Sequence, residues 1–298
     1  MFKYRAMLLM LAAPVVYLVV NNYIPMIGVI IAFKNVNYAK GIFRSDWVGL
    51  KNFTYLFATQ DAYVITRNTL LYNLAFIVLN VVVPITLAIA LSELRGKRLK
   101  KAYQTVMLFP YFISTVVVSY LVLALLSPDN GLMDRVVLPA FGLRSIDWYN
   151  APAYWPFIIP IVFVWKTAGY STIIYLASIA GIDPQYYDAI AIDGGTRWHQ
   201  IRYITLPYLR PTAVVLSLLA VGRIFNSDFG LFYQVPLQSG TLFPVTNVID
   251  TYVYRALIQA NDLGMASAAG VYQATVGLVL VLVTNTIVRR INPELALF

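Results

Sequence analysis

The chain has 298 residues, of which 60% are hydrophobic and 12% are charged, and its formal net charge is +9. Soluble proteins contain about 25% charged residues, so this composition is typical of an integral membrane protein. The absence of cysteine excludes disulfides and thiolate metal sites, and the single histidine, His199, excludes a metal site built from several histidines.

Six apolar segments are long enough to cross a bilayer, which takes about 20 helical residues. They cover residues 7–33, 68–92, 103–127, 153–179, 209–232 and 265–288. The first starts like a signal peptide, with Lys3 and Arg5 before its apolar part, but the apolar pattern continues to Phe33. We therefore interpret it as an uncleaved span and expect one all-α membrane domain over residues 1–298.

The basic residues orient the predicted spans. Six spans place both termini on one side, and that side holds twelve of the 22 basic residues. Because basic residues favour the cytoplasmic side, we expect both termini and the loop ELRGKRLKK, residues 93–101, to be cytoplasmic. Topology thus explains the positive charge without a nucleic-acid partner, and the loop is interpreted as an anchor for anionic lipids.

Three loops are predicted on the external side. The loop 34–67 is polar and aromatic, and a short helix is expected around Leu50–Phe57. The second loop covers residues 128–152. The third covers residues 233–263, and its prolines, glycine and aromatic residues make it a candidate for a segment that re-enters the membrane.

The cytoplasmic loop 180–208 contains a polar segment, Asp183–Pro207, between two apolar spans. Asp183 can cap a helix that starts with a proline, and Gly194–Gly195 then interrupts the helical pattern. Thr196 can cap a second helix. We call residues 183–207 the elbow and expect it to be a rigid docking surface. The same residues also fit an amphipathic helix on the inner leaflet, anchored by Trp198 and Tyr203.

The elbow resembles the cytoplasmic signature of bacterial ABC-importer permeases: Glu-Ala-Ala, two residues, Asp-Gly-Ala, then a hydrophobic stretch ending Ile-x-Leu-Pro. The matching residues are Asp188, Ala189, Ile190, Asp193, Gly194, Gly195, Ile204, Leu206 and Pro207. Asp188 stands in place of glutamate, and Ile190 and Gly195 stand in place of alanine. The flanking Arg197, Trp198 and Thr205 resemble the carbohydrate-type branch. Within that branch, the N-terminal opening and the basic loop are most similar to importers of oligosaccharides or polysaccharide fragments.

The resemblance implies a type I ABC importer permease fold, with six transmembrane helices and cytoplasmic termini. It implies a translocation subunit, not an enzyme, that moves an oligosaccharide inward by alternating access across the bacterial cytoplasmic membrane. The chain has no GxxxxGK[ST] loop and is expected to bind no cofactor, so ATP and Mg²⁺ belong to a partner P-loop ATPase dimer. The other implied partners are an extracellular substrate-binding protein and a second permease chain, expected to differ in sequence, although a homodimer stays open.

The resemblance also assigns roles within the elbow, which in this family transmits the ATPase movement to the spans. The residues implied in ATPase docking and coupling are Tyr187, Asp188, Ala189, Ile190, Asp193, Gly194, Gly195, Arg197, Trp198, Leu206 and Pro207. A substrate path is suggested by polar and ionisable residues at membrane depth, which usually face a cavity or a partner. Its candidate residues are Trp165, Lys166, Tyr170, Arg223, Phe225, Asn226, Asp228 and Tyr252.

Several alternatives remain compatible with the residues. Arg223 and Asp228 fit an ion pair between spans, and Lys166 fits a side chain extended to the outer interface. An ion-coupled secondary transporter would show broken helices in two repeated halves. A membrane enzyme acting on lipid-linked sugars would use Asp193 and Asp228 as acids, but the predicted topology places them on opposite sides. Neither rival function explains the elbow.

Overall fold

The computed structural model describes residues 5–128 and 130–291, and it is almost entirely helical. Lys3 and Glu294, which the predicted topology places in the cytoplasm with the two termini, lie outside the described residues. The α-helices are α1 Arg5–Leu18, α2 Ile24–Met26, α3 Gly41–Arg44, α4 Lys51–Ala58, α5 Asp61–Ser92, α6 Lys97–Phe112, α7 Thr115–Leu126, α8 Leu138–Ala140, α9 Trp155–Ala180, α10 Pro184–Ile192, α11 Arg197–Gln200, α12 Leu206–Val221, α13 Phe229–Gln234, α14 Phe243–Thr246, α15 Ile249–Ile258 and α16 Leu263–Ile291.

Short stretches of other geometry join these helices. The 3₁₀ stretches are Ile27–Phe33, Trp148–Asn150, Pro152–Tyr154 and Gly240–Leu242, and the π stretches are Val19–Tyr23, Met133–Val137 and Ile201–Thr205. Strands β1, Lys34–Asn35, and β2, Asp46–Trp47, form a small antiparallel pair in which Lys34 is opposite Trp47.

Five continuous helical stretches of the described chain are long and apolar enough to cross a membrane. They are Met7–Phe33, Asp61–Ser92, Pro152–Ala180, Arg197–Val221 and Leu263–Arg290. The pair α6 and α7 makes a sixth span if its two bent halves are taken together. The sequence interpretation extended the fifth span to residue 232, but its helix ends at Val221. The residues that follow Val221 form turns instead of helix.

The predicted third span, 103–127, is divided in the structure. Helices α6 and α7 meet at 99°. Ile113 and Ser114 have extended backbones, and the Ser114 hydroxyl accepts a hydrogen bond from the Val117 amide at 3.4 Å. Pro110 lies in the last turn of α6, where its missing N–H weakens the helix, and a serine cap then starts a new one. Hydropathy alone does not register such a break.

The chain forms two compact units. The first comprises the described part of Met1–Tyr63 together with Thr251–Thr275. Within it, the Asn52 amide donates hydrogen bonds to the carbonyls of Ala32 at 2.9 Å and Lys34 at 3.0 Å. The buried Lys34 ammonium donates to the Phe43 carbonyl at 2.7 Å. The short helix predicted around Leu50–Phe57 is confirmed as α4.

The second unit comprises Val64–Asp250 and the described part of Val276–Phe298. Its core lies where α5, α7 and α9 pack around α13. Buried apolar residues of this core include Phe76, Val118, Ile159, Leu231 and Phe232. The segment after α12 therefore buries apolar side chains in this core. Re-entry of residues 233–263 into the membrane stays a prediction.

The helices α6 and α9 cross at a glycine. A Cβ atom on Gly169 would lie 1.8 Å from the carbonyl oxygen of Met107 and 2.9 Å from the Leu108 nitrogen. Both are backbone atoms, so neither can move aside as a side chain would. The absence of a side chain at residue 169 thus permits the two helix backbones to touch.

The loop between α7 and α9 is organised by one buried carboxylate. Asp134 accepts hydrogen bonds from the Ser145 hydroxyl at 2.9 Å, the Ile146 amide at 2.8 Å and the Trp148 indole at 2.7 Å. Burial raises the pKa of Asp134, but these hydrogen bonds lower it more, so its pKa lies below the ordinary value. The indole of Trp155, which is fully buried, donates to the Trp148 carbonyl at 2.7 Å.

Candidate functional sites: the elbow and a membrane-depth cavity

The first half of the elbow is a capped helix that ends at two glycines. The Asp183 carboxylate accepts a hydrogen bond from the Gln185 amide at 2.9 Å, which caps α10 as the sequence predicts. After α10, Gly194 adopts a φ of +76°, a conformation that other residues rarely take. The Gly195 amide donates to the Ile190 carbonyl at 2.8 Å and closes the turn. The predicted interruption at the glycine pair is confirmed.

The second half of the elbow folds back on the first through buried polar contacts. The side-chain NH₂ group of Gln200 donates to the Tyr187 carbonyl at 2.9 Å, and the hydroxyls of Tyr187 and Thr205 lie 3.0 Å apart. Arg197 donates to the Gln200 side chain at 3.1 Å. Arg197 also forms an ion pair at 3.7 Å with Glu93, at the cytoplasmic end of α5 in the predicted topology. These contacts make the elbow one rigid body.

The outer face of the elbow exposes both apolar and acidic side chains. Asp188, Ala189 and Asp193 are exposed, whereas Tyr187 and Ile190 are partly buried. Trp198 is 62% exposed, and Ile192, at the tip of α10, is 85% exposed. Ile192 is missing from the sequence-based coupling residues, although an apolar side chain directly before the Asp-Gly pair could have indicated it. An exposed apolar tip on a rigid body is suited to insertion into a partner's groove.

The second site is a cavity of about 180 Å³ among the predicted spans of the second unit. It is lined by Asn73, Phe76, Ile77, Asn80, Phe163, Ala220, Arg223, Asn226 and Asp228. Three of the predicted path residues, Arg223, Asn226 and Asp228, therefore come together on one cavity.

The cavity lies where the fifth span stops being helical. Helix α12 ends at Val221, and the amide of Asn73 donates to the freed carbonyls of Ile224 at 2.9 Å and Asn226 at 3.2 Å. A side chain of α5 thus satisfies the broken backbone, which hydrocarbon could not do. Irregular backbone at membrane depth is tolerated only where it is enclosed by protein or lines a cavity.

Helix α5 supplies a whole face of the cavity, which the sequence interpretation missed. Asn73, Phe76, Ile77 and Asn80 are spaced three, four and seven residues apart, so they lie on one side of the helix. Phe76 stacks on Phe163 of α9 with 3.9 Å between the ring centroids and 9° between the planes. The sequence did contain a signal for this face, because Asn73 and Asn80 lie two helical turns apart in an otherwise apolar span.

Two alternatives for the charged residues can be compared with the structure. In residues 5–128 and 130–291, no ion pair joins Arg223 to Asp228. Asp228 instead caps α13 by accepting a hydrogen bond from the Leu231 amide at 3.0 Å. The Lys166 ammonium donates to the Thr115 hydroxyl at 2.5 Å, at the start of α7. Lys166 is therefore held inside the unit by this contact.

Comparison with known proteins identifies the family. Residues 82–295 match the family described as "Binding-protein-dependent transport system inner membrane component". The chain belongs to this family. It is thus an inner-membrane permease subunit of a bacterial ABC importer, which confirms the predicted family and localisation. The subunit serves translocation and is not an enzyme.

Similar proteins cover this permease almost completely. It is 34% identical over 294 residues to the "Polygalacturonan/rhamnogalacturonan transport system permease protein YteP" of Bacillus subtilis (strain 168), with 99% of this chain and 91% of the relative covered. A chain from the crystal structure of a bacterial ABC transporter involved in the import of the acidic polysaccharide alginate matches with a TM-score of 0.88, at 33% identity and 97% coverage of both chains. The predicted all-α type I importer fold is confirmed by this match.

A related crystal structure shows a bacterial alginate ABC transporter in complex with an alginate pentasaccharide-bound periplasmic protein. Its matching chain has a TM-score of 0.87 and 33% identity to this permease, with 97% of this chain and 96% of the other covered. That transporter is thus held in a complex with a sugar-bound periplasmic protein.

The remaining predicted path residues of the permease lie outside the cavity. Trp165 and Tyr170 are exposed on α9, and Tyr170 stacks on Tyr111 with 4.6 Å between centroids. Phe225 is 1% exposed and packs inside the second unit. Tyr252 belongs to the first unit, where its hydroxyl donates to the Met265 sulfur at 2.8 Å. In the described ranges, no group of three or more acidic or histidine side chains is placed to hold a metal ion.

Proposed function

We propose that this permease moves an oligosaccharide inward past the cavity between α5, α9 and the end of α12. The observation that carries the proposal is the chemistry of the lining. Guanidinium, carboxylate and amide groups of Arg223, Asp228 and Asn80 surround the same space as the stacked rings of Phe76 and Phe163. Sugars present hydroxyls around apolar ring faces, so a polar rim beside aromatic rings fits them.

The energy for this movement is supplied by a separate ATPase that docks on the elbow. The exposed Ile192 tip and the neighbouring Tyr186, which is 63% exposed, would enter a groove of that protein. ATP and Mg²⁺ are bound by the ATPase, because this chain contains no phosphate-binding loop. The elbow connects directly to α9 and α12, so displacement of the elbow moves both helices that border the cavity.

The complete importer contains further subunits. A second permease chain, different in sequence, completes the path across the membrane, and an extracellular binding protein delivers the sugar. A related structure supports the binding protein, since it contains a periplasmic protein loaded with an alginate pentasaccharide. Both termini and the elbow lie in the cytoplasm, as the distribution of basic residues indicates.

The function is tested by reconstituting the importer in vesicles and measuring uptake of labelled oligosaccharides. The permease is purified gently with its companions, and the binding protein is added outside. ATP-dependent uptake of at least one oligosaccharide is expected. Uptake that continues without ATP and follows an ion gradient would instead establish the secondary transporter, and a complex without an ATPase would remove the importer assignment.

The elbow is tested separately by Ile192→Asp. This side chain is so exposed that the change leaves the fold intact, but it places a charge where the apolar tip would enter the ATPase. Loss of the ATPase from the purified complex is expected. The matched control is Leu143→Asp, which introduces the same charge at a side chain that is 58% exposed in the loop between α7 and α9. Retention of the ATPase by Ile192→Asp, or its equal loss in both variants, would contradict docking at the elbow.

A further inference from the structure

One wall of the cavity carries a cation, Arg223, for which the described residues provide no ion pair. Arg223 lines the cavity, and in the described ranges 5–128 and 130–291 its guanidinium makes neither a hydrogen bond nor an ion pair. Asp228 lines the same space, but one of its oxygens is bound to the Leu231 amide. A guanidinium is never neutralised by losing its proton in a protein, so it needs an anionic partner when water is excluded.

The side-chain amides of Asn73 and Asn80 also line the cavity, and the NH₂ group of Asn80 is an unused donor. The side-chain oxygen of Asn80 accepts from the Ser171 hydroxyl at 2.8 Å, and its NH₂ group has no partner among the residues described. Asn73 uses its own NH₂ group on the broken backbone of the fifth span. Arg223 and Asn80 therefore bring unused N–H donors to the cavity wall.

A second cation lies near the cavity. The Lys166 ammonium is bound to the Thr115 hydroxyl. A Cβ atom on Gly230 would lie 3.3 Å from both the Thr115 hydroxyl oxygen and an oxygen of Asp228. Asp228 therefore shares the cavity with Arg223 and also lies close to the hydroxyl that Lys166 binds. The remaining nearby acid, Asp250, accepts from the Ser227 amide at 2.6 Å.

We propose that this cavity binds the carboxylate of an acidic sugar, with Arg223 as the residue that selects it. This inference rests on the function proposed above and specifies its substrate class as an oligosaccharide that contains uronate residues. Arginine binds a carboxylate through two parallel N–H···O hydrogen bonds, and the free NH₂ group of Asn80 can add a third. A neutral sugar would leave the guanidinium charge uncompensated at membrane depth.

The stacked rings complete the site. Phe76 is held in the core by its ring contacts with Phe163 and Tyr72, at 3.9 Å and 6.0 Å between centroids. Phe76 and Phe163 give the cavity an apolar wall beside its donors. A pyranose ring that carries a carboxylate has both features on one molecule, whereas a lipid phosphate offers the anion without a rigid apolar face.

The test compares trigalacturonate with its fully methyl-esterified form, which has the same sugar rings but no carboxylate charge. Each is titrated calorimetrically into the purified importer, with both permease chains and the ATPase in nanodiscs and without the binding protein. Trigalacturonate is expected to bind about tenfold more tightly than the ester, the effect of one charge-assisted interaction. Arg223→Gln should abolish this difference. Arg144→Gln, which removes a cation from an exposed loop, should leave it unchanged.

The outcomes separate this inference from the function on which it rests. Equal affinities for the two ligands, or discrimination that survives in Arg223→Gln, would overturn the acidic-sugar site while ATP-dependent uptake of a neutral oligosaccharide still supported the function. Loss of a co-purified phospholipid in Arg223→Gln, with unchanged sugar binding, would overturn it in favour of a lipid phosphate. Binding of neither ligand at millimolar concentration would also overturn it, and absence of uptake of any oligosaccharide would overturn the function itself.

Discussion

Replacing Gly169 by alanine tests the contact between α6 and α9 directly. The added methyl carbon would lie 1.8 Å from the Met107 carbonyl oxygen, whereas nonbonded atoms pack at about 3.5 Å. The two helices must therefore separate by roughly 1.5 Å at this crossing, because the opposing atoms belong to the backbone. Overpacking of this kind costs about 1–3 kcal/mol, and the better helix propensity of alanine offsets up to about 1 kcal/mol. We expect a net destabilisation of about 2 kcal/mol.

The assay is thermal unfolding of the purified permease in detergent, followed by tryptophan fluorescence. For a protein of this size, each kcal/mol corresponds to about 2–4 °C, so the Tm should fall by about 4–8 °C. Gly270→Ala is the matched control, since Gly270 also lies within a long helix but has no atom within 4 Å of its Cβ position. Equal Tm values for the two variants would refute the close backbone crossing.

Three further predictions concern the loop, the elbow and the cavity. Asp134→Asn should lower stability by about 1–3 kcal/mol because it leaves a buried donor unpaired. The pKa of Asp134 in the folded protein lies below the ordinary value of about 4. The stabilisation that the ionised carboxylate provides is therefore complete above a pH of about 4 and is lost as the pH falls through the lower folded-state pKa. The Tm difference between the unaltered protein and Asp134→Asn should shrink only in strong acid. Gly194→Ala should strain the elbow by about 1–2 kcal/mol and weaken ATPase co-purification, whereas Gly240→Ala, at an ordinary φ and in open space, should not. Asn73→Leu should leave two carbonyls unpaired and reduce ATP-driven uptake, and normal uptake would show that the break at the end of α12 is held by other contacts.

The elbow was predictable because its structure is encoded locally. Caps and glycines act within four or five residues of their own positions, so Asp183 and Gly194 could be assigned from the sequence alone. The family signature then fixed the register of the motif. The exposed Ile192 was not predicted, since exposure of an apolar residue depends on which face the rest of the protein covers.

The cavity was predicted only in part because it depends on contacts between distant segments. Arg223 and Asp228 attract attention as charged residues in a span, but the opposite face of their cavity comes from α5, which lies about 150 positions earlier in the chain, as the separation of 151 between Asn73 and Ile224 shows. Hydropathy also treats residues 103–127 as one span, since it averages composition and does not detect the cap at Ser114. Asp134 was overlooked because its three donors lie 11 to 14 positions away in an irregular loop.

The bend between α6 and α7 has a consequence for how the protein enters the membrane during synthesis. At about 1.5 Å per residue, α6 and α7 reach only about 24 Å and 18 Å, so neither half alone crosses a hydrocarbon layer of about 30 Å. The stretch also contains extended backbone at Ile113 and Ser114, which lipid cannot satisfy. Two of the contacts that shelter it, with Gly169 and with Lys166, come from α9, which leaves the ribosome later. Stable integration of this stretch must therefore wait for α9, and a nascent chain that stops before residue 155 should hold it less firmly than one that extends beyond residue 180.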